Sequence, residues 1–262
     1  MDYYKTPEDF KEANGYEING YWYPRVTKIV TIKAKPALYR YYAAASSFAA
    51  ANAQTQKSAE EGTLIHNTIE KIFLGEETAI DPTITPAITA FKNFLDKNNI
   101  QVSQEHIERR ILNLEHAYAG TIDSLALIGG KFGVLDIKTS MDFYRDYNLQ
   151  TSAYMYALTN DPAVPPPQTR WILRVDQIKT CQKCRSTMRP KGGKEKIRKP
   201  YPALPGVKLC ADDQSHEWGP LTGVTAIQES PYWKNDFEAF LAAKRLWEWE
   251  NEYWLKRVGY LK

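Results

Sequence analysis

The chain has 262 residues, 43% of them hydrophobic and 25% charged, with 34 basic residues against 31 acidic ones and a net charge of only +3. That composition suits one large globular domain, alone or with a small insertion, and confines any polyanion-binding surface to a local patch. No apolar run nears the roughly 18 residues of a membrane span, the polar opening "MDYYKTPEDF" is no signal peptide, and three cysteines make no disulfide framework. An intracellular, cytoplasmic protein without membrane partners is expected.

Residues 20–33, "GYWYPRVTKIVTIK", read as a strand or extended lead-in, and the Ala-rich residues 37–56 as a helix. Ser58 and Glu61 fit a capping box that opens a second helix through "GTLIHNTIEKIFLG", stopping near Gly75. Thr85-Pro86 opens a third. Strands are predicted over about 106–113, 119–128 and 131–138, a helix over 147–159, and a further strand at 169–175. Residues 177–219 have no period and are full of Lys, Arg, Pro and Gly. "GVTAIQES" reads as a strand and about 231–258 as a long final helix, its aromatic residues mostly core. The order implies an α/β (α+β) fold, a mixed central β-sheet flanked by helices. Residues 1–176 and 220–262 form its body and 177–219 a basic insertion.

Within "VLDIKTS", Asp136 and Lys138 interrupt an otherwise buried strand. Gly129-Gly130 joins "TIDSLALI" to "KFGVLDIK" as a tight hairpin, because a primed turn needs positive φ. Ile128 then faces Lys131, Leu127 faces Phe132, and Asp123 arrives opposite Asp136. Like charges directly opposed are destabilising, and a bridging cation relieves them. Carboxylates suit a hard ion such as Mg²⁺ or Mn²⁺, with Lys138 adding electrostatic stabilisation. A surface salt bridge at a frayed strand end is the bland alternative.

At these residues the chain resembles the PD-(D/E)xK nuclease superfamily, and within it the RecB-like exonuclease branch, which includes phage and CRISPR-adaptation nucleases. "AGTIDSLALIGGKFGVLDIKTS" supplies G-x-x-D and D-x-K, "GTLIHNTIEKI" resembles the histidine motif at His66, and "NLQTSAYMYAL" gives Q-x-x-x-Y. The resemblance spans about residues 22–175 and the strand after the insertion. It implies a restriction-endonuclease-like core. It further implies metal ligation by His66, Asp123, Asp136 and the carbonyl of Ile137, with Lys138 catalytic and Gln150 and Tyr154 lining the site. Glu108 fits the position of a further acid, with Glu105 as rival.

All three cysteines fall in the insertion: Cys181 and Cys184 as C-x-x-C, then Cys210, with His216 six positions on. Such a set can hold a structural Zn²⁺, with Asp212 or Asp213 as substitutes for His216. An iron–sulfur cluster is disfavoured with three cysteines. Arg185, Arg189, Lys191, Lys194, Lys196, Arg198 and Lys199 make a cationic loop suited to DNA phosphates. The expected function is a Mg²⁺- or Mn²⁺-dependent DNA exonuclease working on ends or single strands, with a recombination or repair partner protein conceivable. The rivals are a catalytically idle DNA-binding or assembly protein and a structure-specific endonuclease.

Overall fold

The computed structural model describes residues 4–193, 195–201 and 203–262. Thr6 opens α1 (Pro7–Asn14) through a reciprocal cap: its hydroxyl accepts from the Asp9 amide while the Asp9 carboxylate accepts from the Thr6 amide. A small hairpin follows, β1 (Gly15–Ile18) and β2 (Tyr21–Pro24). Beyond it the expected strand is helical instead, as α2 (Val26–Ile29) and a 3-10 turn (Val30–Ile32). Val26, Ile29 and Val30 recur at helical spacing and are all buried, and that packing outweighs the β preference of branched residues.

The next two helices break elsewhere than expected. α3 (Pro36–Ala43) ends early, and α4 (Phe48–Phe73) starts at Ser47, whose hydroxyl accepts from the Ala50 amide. Ser58 and Glu61 lie mid-helix. Nothing between the Ala-rich run and "GTLIH" breaks a helix, and the Ser58 hydroxyl donates back to the Gln54 carbonyl. α5 (Thr85–Asn98) and α6 (Asp146–Thr159) match expectation within a residue. The final helix is interrupted at Asn251, giving α7 (Lys234–Glu250) and α8 (Glu252–Arg257).

A seven-stranded mixed sheet forms the centre. β3 (Gln101–Asn113), β4 (Tyr118–Ile128) and β5 (Lys131–Lys138) run antiparallel, and β4 meets β5 in the hairpin register Ile128↔Lys131, Leu127↔Phe132. Gly129 and Gly130 turn it at φ 57° and 79°, which only glycine adopts at little cost. α6 crosses over to β6 (Thr169–Thr180), parallel to β5. β6 runs through Thr180, past the expected boundary at 177. It pairs with β9 (Thr222–Glu229) and, at its far end, with β7 (Thr187–Arg189), which carries β8 (Lys196–Arg198). The insertion thus has strands of its own.

Helices cover both faces. One core packs α1, α2, α6, α7 and α8 against the sheet, and the other packs α4 and α5. Among the described residues no helix is long and apolar enough to cross a membrane. Arg170 of β6, only 1% exposed, ties the first layer together. Its guanidinium donates to the carbonyls of Asn148 and Ser230 (2.8 and 3.1 Å) and pairs with Asp236 of α7. Removing one partner of a buried ion pair strands the other charge. Asp236→Ala is therefore expected to cost about 3 kcal/mol in chemical denaturation; a loss well under 1 kcal/mol would show that Arg170 does not pin the layer.

Candidate active site

Leu135 and Ile137 of β5 point into the core beneath α4 and α5, so Asp136 and Lys138 share the face toward α6. The β4–β5 ladder ends at Ser124↔Leu135. One step further Asp123 comes across from Asp136, and Oδ2 of Asp123 accepts from the Ile137 amide at 2.6 Å. Where the ladder ends, a carboxylate thus takes a backbone donor of β5. Asp136 is fully buried, with Nζ of Lys138 2.7 Å from its Oδ2.

α6 supplies the next layer. Nε2 of Gln150 donates to Oδ1 of Asp136 (2.9 Å) and to the hydroxyl oxygen of Tyr154 (3.0 Å). The Tyr147 ring lies 5.3 Å from Nζ of Lys138. Tyr147, Gln150 and Tyr154 follow i, i+3, i+7 and so share one helix face; Tyr147 was not among the expected residues, although that spacing carries it. Gly120, the glycine of G-x-x-D, makes room: a Cβ there would sit 2.7 Å from Cε1 of Tyr154.

α4 and β3 close the opposite side. Nδ1 of His66 is 4.0 Å from Oδ2 of Asp123. Burial and the nearby Lys138 lower the His66 pKa to about 4, so its ring is neutral at neutral pH. Glu108 falls across from Asp123, between the pairs Ile107↔Ser124 and Arg109↔Ile122. It takes a left-handed φ of 46°, at a cost on the order of 1 kcal/mol or more for a non-glycine residue. Burial, Asp123 and Glu70 together raise its carboxyl to about 7, although the residue is exposed and water tempers the effect. Glu105 points away, largely exposed beside His106.

Asp123 and Asp136 therefore face one ammonium, that of Lys138, with Glu108 beside Asp123 and Glu70 close enough to act on Glu108. Burial raises Asp123 and Asp136, the latter to about 6. For Lys138 burial opposes the charge, but Asp136 and Asp123 outweigh it and hold its pKa above the ordinary value. Oδ2 of Asp136 is buried and faces the Lys138 ammonium. The cluster carries more negative charge than its own residues satisfy.

The insertion reaches this site and braces it. Nζ of Lys191 donates to the carbonyl and hydroxyl of Thr139, the residue after Lys138, at 2.7 and 2.8 Å. Arg189 donates to the same carbonyl and pairs with the buried Asp176 of β6. The Gly192 amide donates to Glu61 of α4 (2.9 Å), and Nε2 of Gln54 donates to the Gly192 carbonyl (2.8 Å). Arg198 pairs with Asp142 at 3.3 Å. Arg189, Lys191 and Arg198 are thus engaged within the protein. Arg185, Lys196 and Lys199 are exposed, and Lys194 lies outside the described residues.

Ligand atoms of Cys181, Cys184, Cys210 and His216 all lie within 4.8 Å of one another, a group able to hold a metal such as zinc. Burial raises the pKa of Cys181 and Cys184, but hydrogen bonds to their sulfurs outweigh it and bring both to about 7. The donors include backbone amides of Lys183, Cys184 and Glu217 for Cys181, and of Ser186 and Cys210 for Cys184. Arg185, at φ 62°, closes the turn by donating its amide to the Cys181 carbonyl (3.0 Å). Asp212 does not substitute for His216; its Oδ1 accepts from the amides of Gln214 and Ser215 and from the Ser215 hydroxyl. Asp213 is outside the group.

No protein-family model and no curated protein sequence matches the chain. Elemental analysis of purified protein is expected to find about one tightly held ion such as zinc per chain, lost in Cys184→Ser. A wild-type protein free of such an ion, with thiols that titrate freely, would contradict the assignment.

Proposed function

We propose that the chain is a metal-dependent deoxyribonuclease of the PD-(D/E)xK type, built on a restriction-endonuclease-like core and acting from DNA ends. One observation carries the reading: Asp123 and Asp136 meet where the ladder of β4 and β5 ends, with the ammonium of Lys138 2.7 Å from Asp136. The hard oxygen donors and the excess of carboxylates over the single Lys138 ammonium suit Mg²⁺ or Mn²⁺. Asp123, Asp136, Glu108 and neutral His66 would hold the ion, with the Ile137 carbonyl as a further donor. When bound, such an ion lowers the pKa of a water and neutralises charge on a phosphate.

The chain's own residues do the rest. Lys138 brings a positive charge to the developing negative charge on the phosphate. Gln150 fixes the plane of the Asp136 carboxylate and joins it to Tyr154. The Arg189–Lys191 brace holds Thr139 and with it the end of β5, and the Cys₃His residues, if they hold a metal such as zinc, would fix the root of that brace. Exposed Arg185, Lys196 and Lys199 supply phosphate contacts of the kind that ignore sequence and weaken with salt.

End-labelled linear DNA incubated with Mg²⁺ or Mn²⁺ is expected to shorten from its ends, and to stay intact in EDTA. Asp136→Asn is expected to lower the rate by at least about 1,000-fold while DNA binding persists. Unchanged cleavage by the variant, or binding with no cleavage under any divalent ion, would overturn the reading. Cutting of closed circular DNA would point to an endonuclease instead.

A further inference from the structure

Between Glu17 and Glu60 the chain has 42 residues without one Asp or Glu, although acids make up 31 of its 262 residues. The same stretch holds six cations: Arg25, Lys28, Lys33, Lys35, Arg40 and Lys57. Its middle, α3 and the start of α4, stands off the body of the fold. From residue 33 to residue 50 nothing is buried, and residues 33–40 are all exposed. Tyr39 is 60% and Phe48 70% exposed. The arm is nonetheless ordered by its own contacts. Phe48 stacks on Tyr42 at 5.2 Å, and the Tyr41 hydroxyl donates to the Ala51 carbonyl at 3.3 Å.

The chain on either side of the arm leads back to the candidate active site. At the outgoing end, Nζ of Lys33 is 2.8 Å from Asp146, the neighbour of Tyr147 beneath Lys138. At the returning end, Gly62 passes so close to Thr139 that a Cβ would come within 2.7 Å of its hydroxyl, and His66 follows one turn on. Gly62 lies fourteen positions after Phe48 on α4, about 21 Å of helix.

We infer that residues 33–50 form a binding arm for single-stranded polynucleotide, which lays its bases on Tyr39 and Phe48 and its phosphates along Lys35 and Arg40. Charge complementarity selects the occupant: an acid-free cationic segment repels no phosphate anywhere along its length. Exposed rings select the strandedness, since base faces are open in a single strand and hidden in a duplex. The inference deepens the nuclease reading by naming its substrate, but the binding it describes does not require cleavage.

The test is fluorescence anisotropy of a labelled 20-nucleotide oligo-dT, in EDTA, with the full chain. Tyr39→Ala, Tyr39→Ala with Phe48→Ala, and Lys35→Ala with Arg40→Ala are compared with wild type. The double aromatic variant is expected to bind on the order of tenfold or more weakly, and the cation pair to flatten the salt dependence. Because the arm buries nothing in the core, melting temperatures should not move. Tyr39→Ala, which leaves the Phe48–Tyr42 stack intact, should lose affinity on its own. Asp136→Asn should bind like wild type; if it binds but no protein form cleaves, the arm stands and the nuclease reading falls. Unchanged oligo-dT affinity in the arm variants would overturn the inference. So would equal losses on duplex of the same length, or a dimer that dissociates in the aromatic variant, which would mean a second copy covers the rings.

Discussion

The structure turns on the desolvation of two carboxylates at one point in a sheet. Asp123 and Asp136 would each be cheap in water and are costly where they stand, because burial and mutual repulsion both favour the protonated forms. What keeps them there is a ring of specific partners: the Ile137 amide, the Gln150 side chain and the Lys138 ammonium. These engage Oδ2 of Asp123 and both oxygens of Asp136, yet two carboxylates face a single ammonium. Natural folds retain such unpaid electrostatic tension mainly where function uses it.

Much of the rest serves to hold that point rigid. The parallel β5–β6 pair closes one edge of the strand, α4 and α5 cover one of its faces, and α6 lays Tyr147, Gln150 and Tyr154 along the other. Gly120 and Gly62 let Tyr154 and α4 come closer than any side chain would allow. The insertion adds a brace from outside: Lys191 and Arg189 converge on Thr139, one residue past the lysine. A single segment thereby links the Cys₃His group to the end of the strand that carries the acids. The brace also ties α4, and so His66, through Glu61 and Gln54.

The hairpin was legible because a two-residue glycine turn fixes register, and register alone placed Asp123 beside Asp136. The outline of the sheet followed from the same alternation. Local signals misled where packing overrode them. Ser58 and Glu61 have capping-box spacing, yet an uninterrupted Ala-rich run carries the helix through them, and Glu61 serves the insertion instead. Residues 26–32 look β-prone by composition, whereas the spacing of Val26, Ile29 and Val30 already favoured a helix. The left-handed φ at Glu108 was illegible: the register with β4 is the same on either side of it, and no glycine marks the position. Nor could a row of Lys and Arg reveal which members turn inward, because Lys191 finds its half-buried partner, Thr139, 52 residues away.

Diffraction from crystals grown with Mn²⁺, at a wavelength where manganese scatters anomalously, tests the central claim directly. The account predicts a peak bounded by the carboxylates of Asp123 and Asp136 and lost in a crystal of Asp123→Asn. Well-ordered density for both acids with no anomalous signal between them, at saturating Mn²⁺, would contradict it.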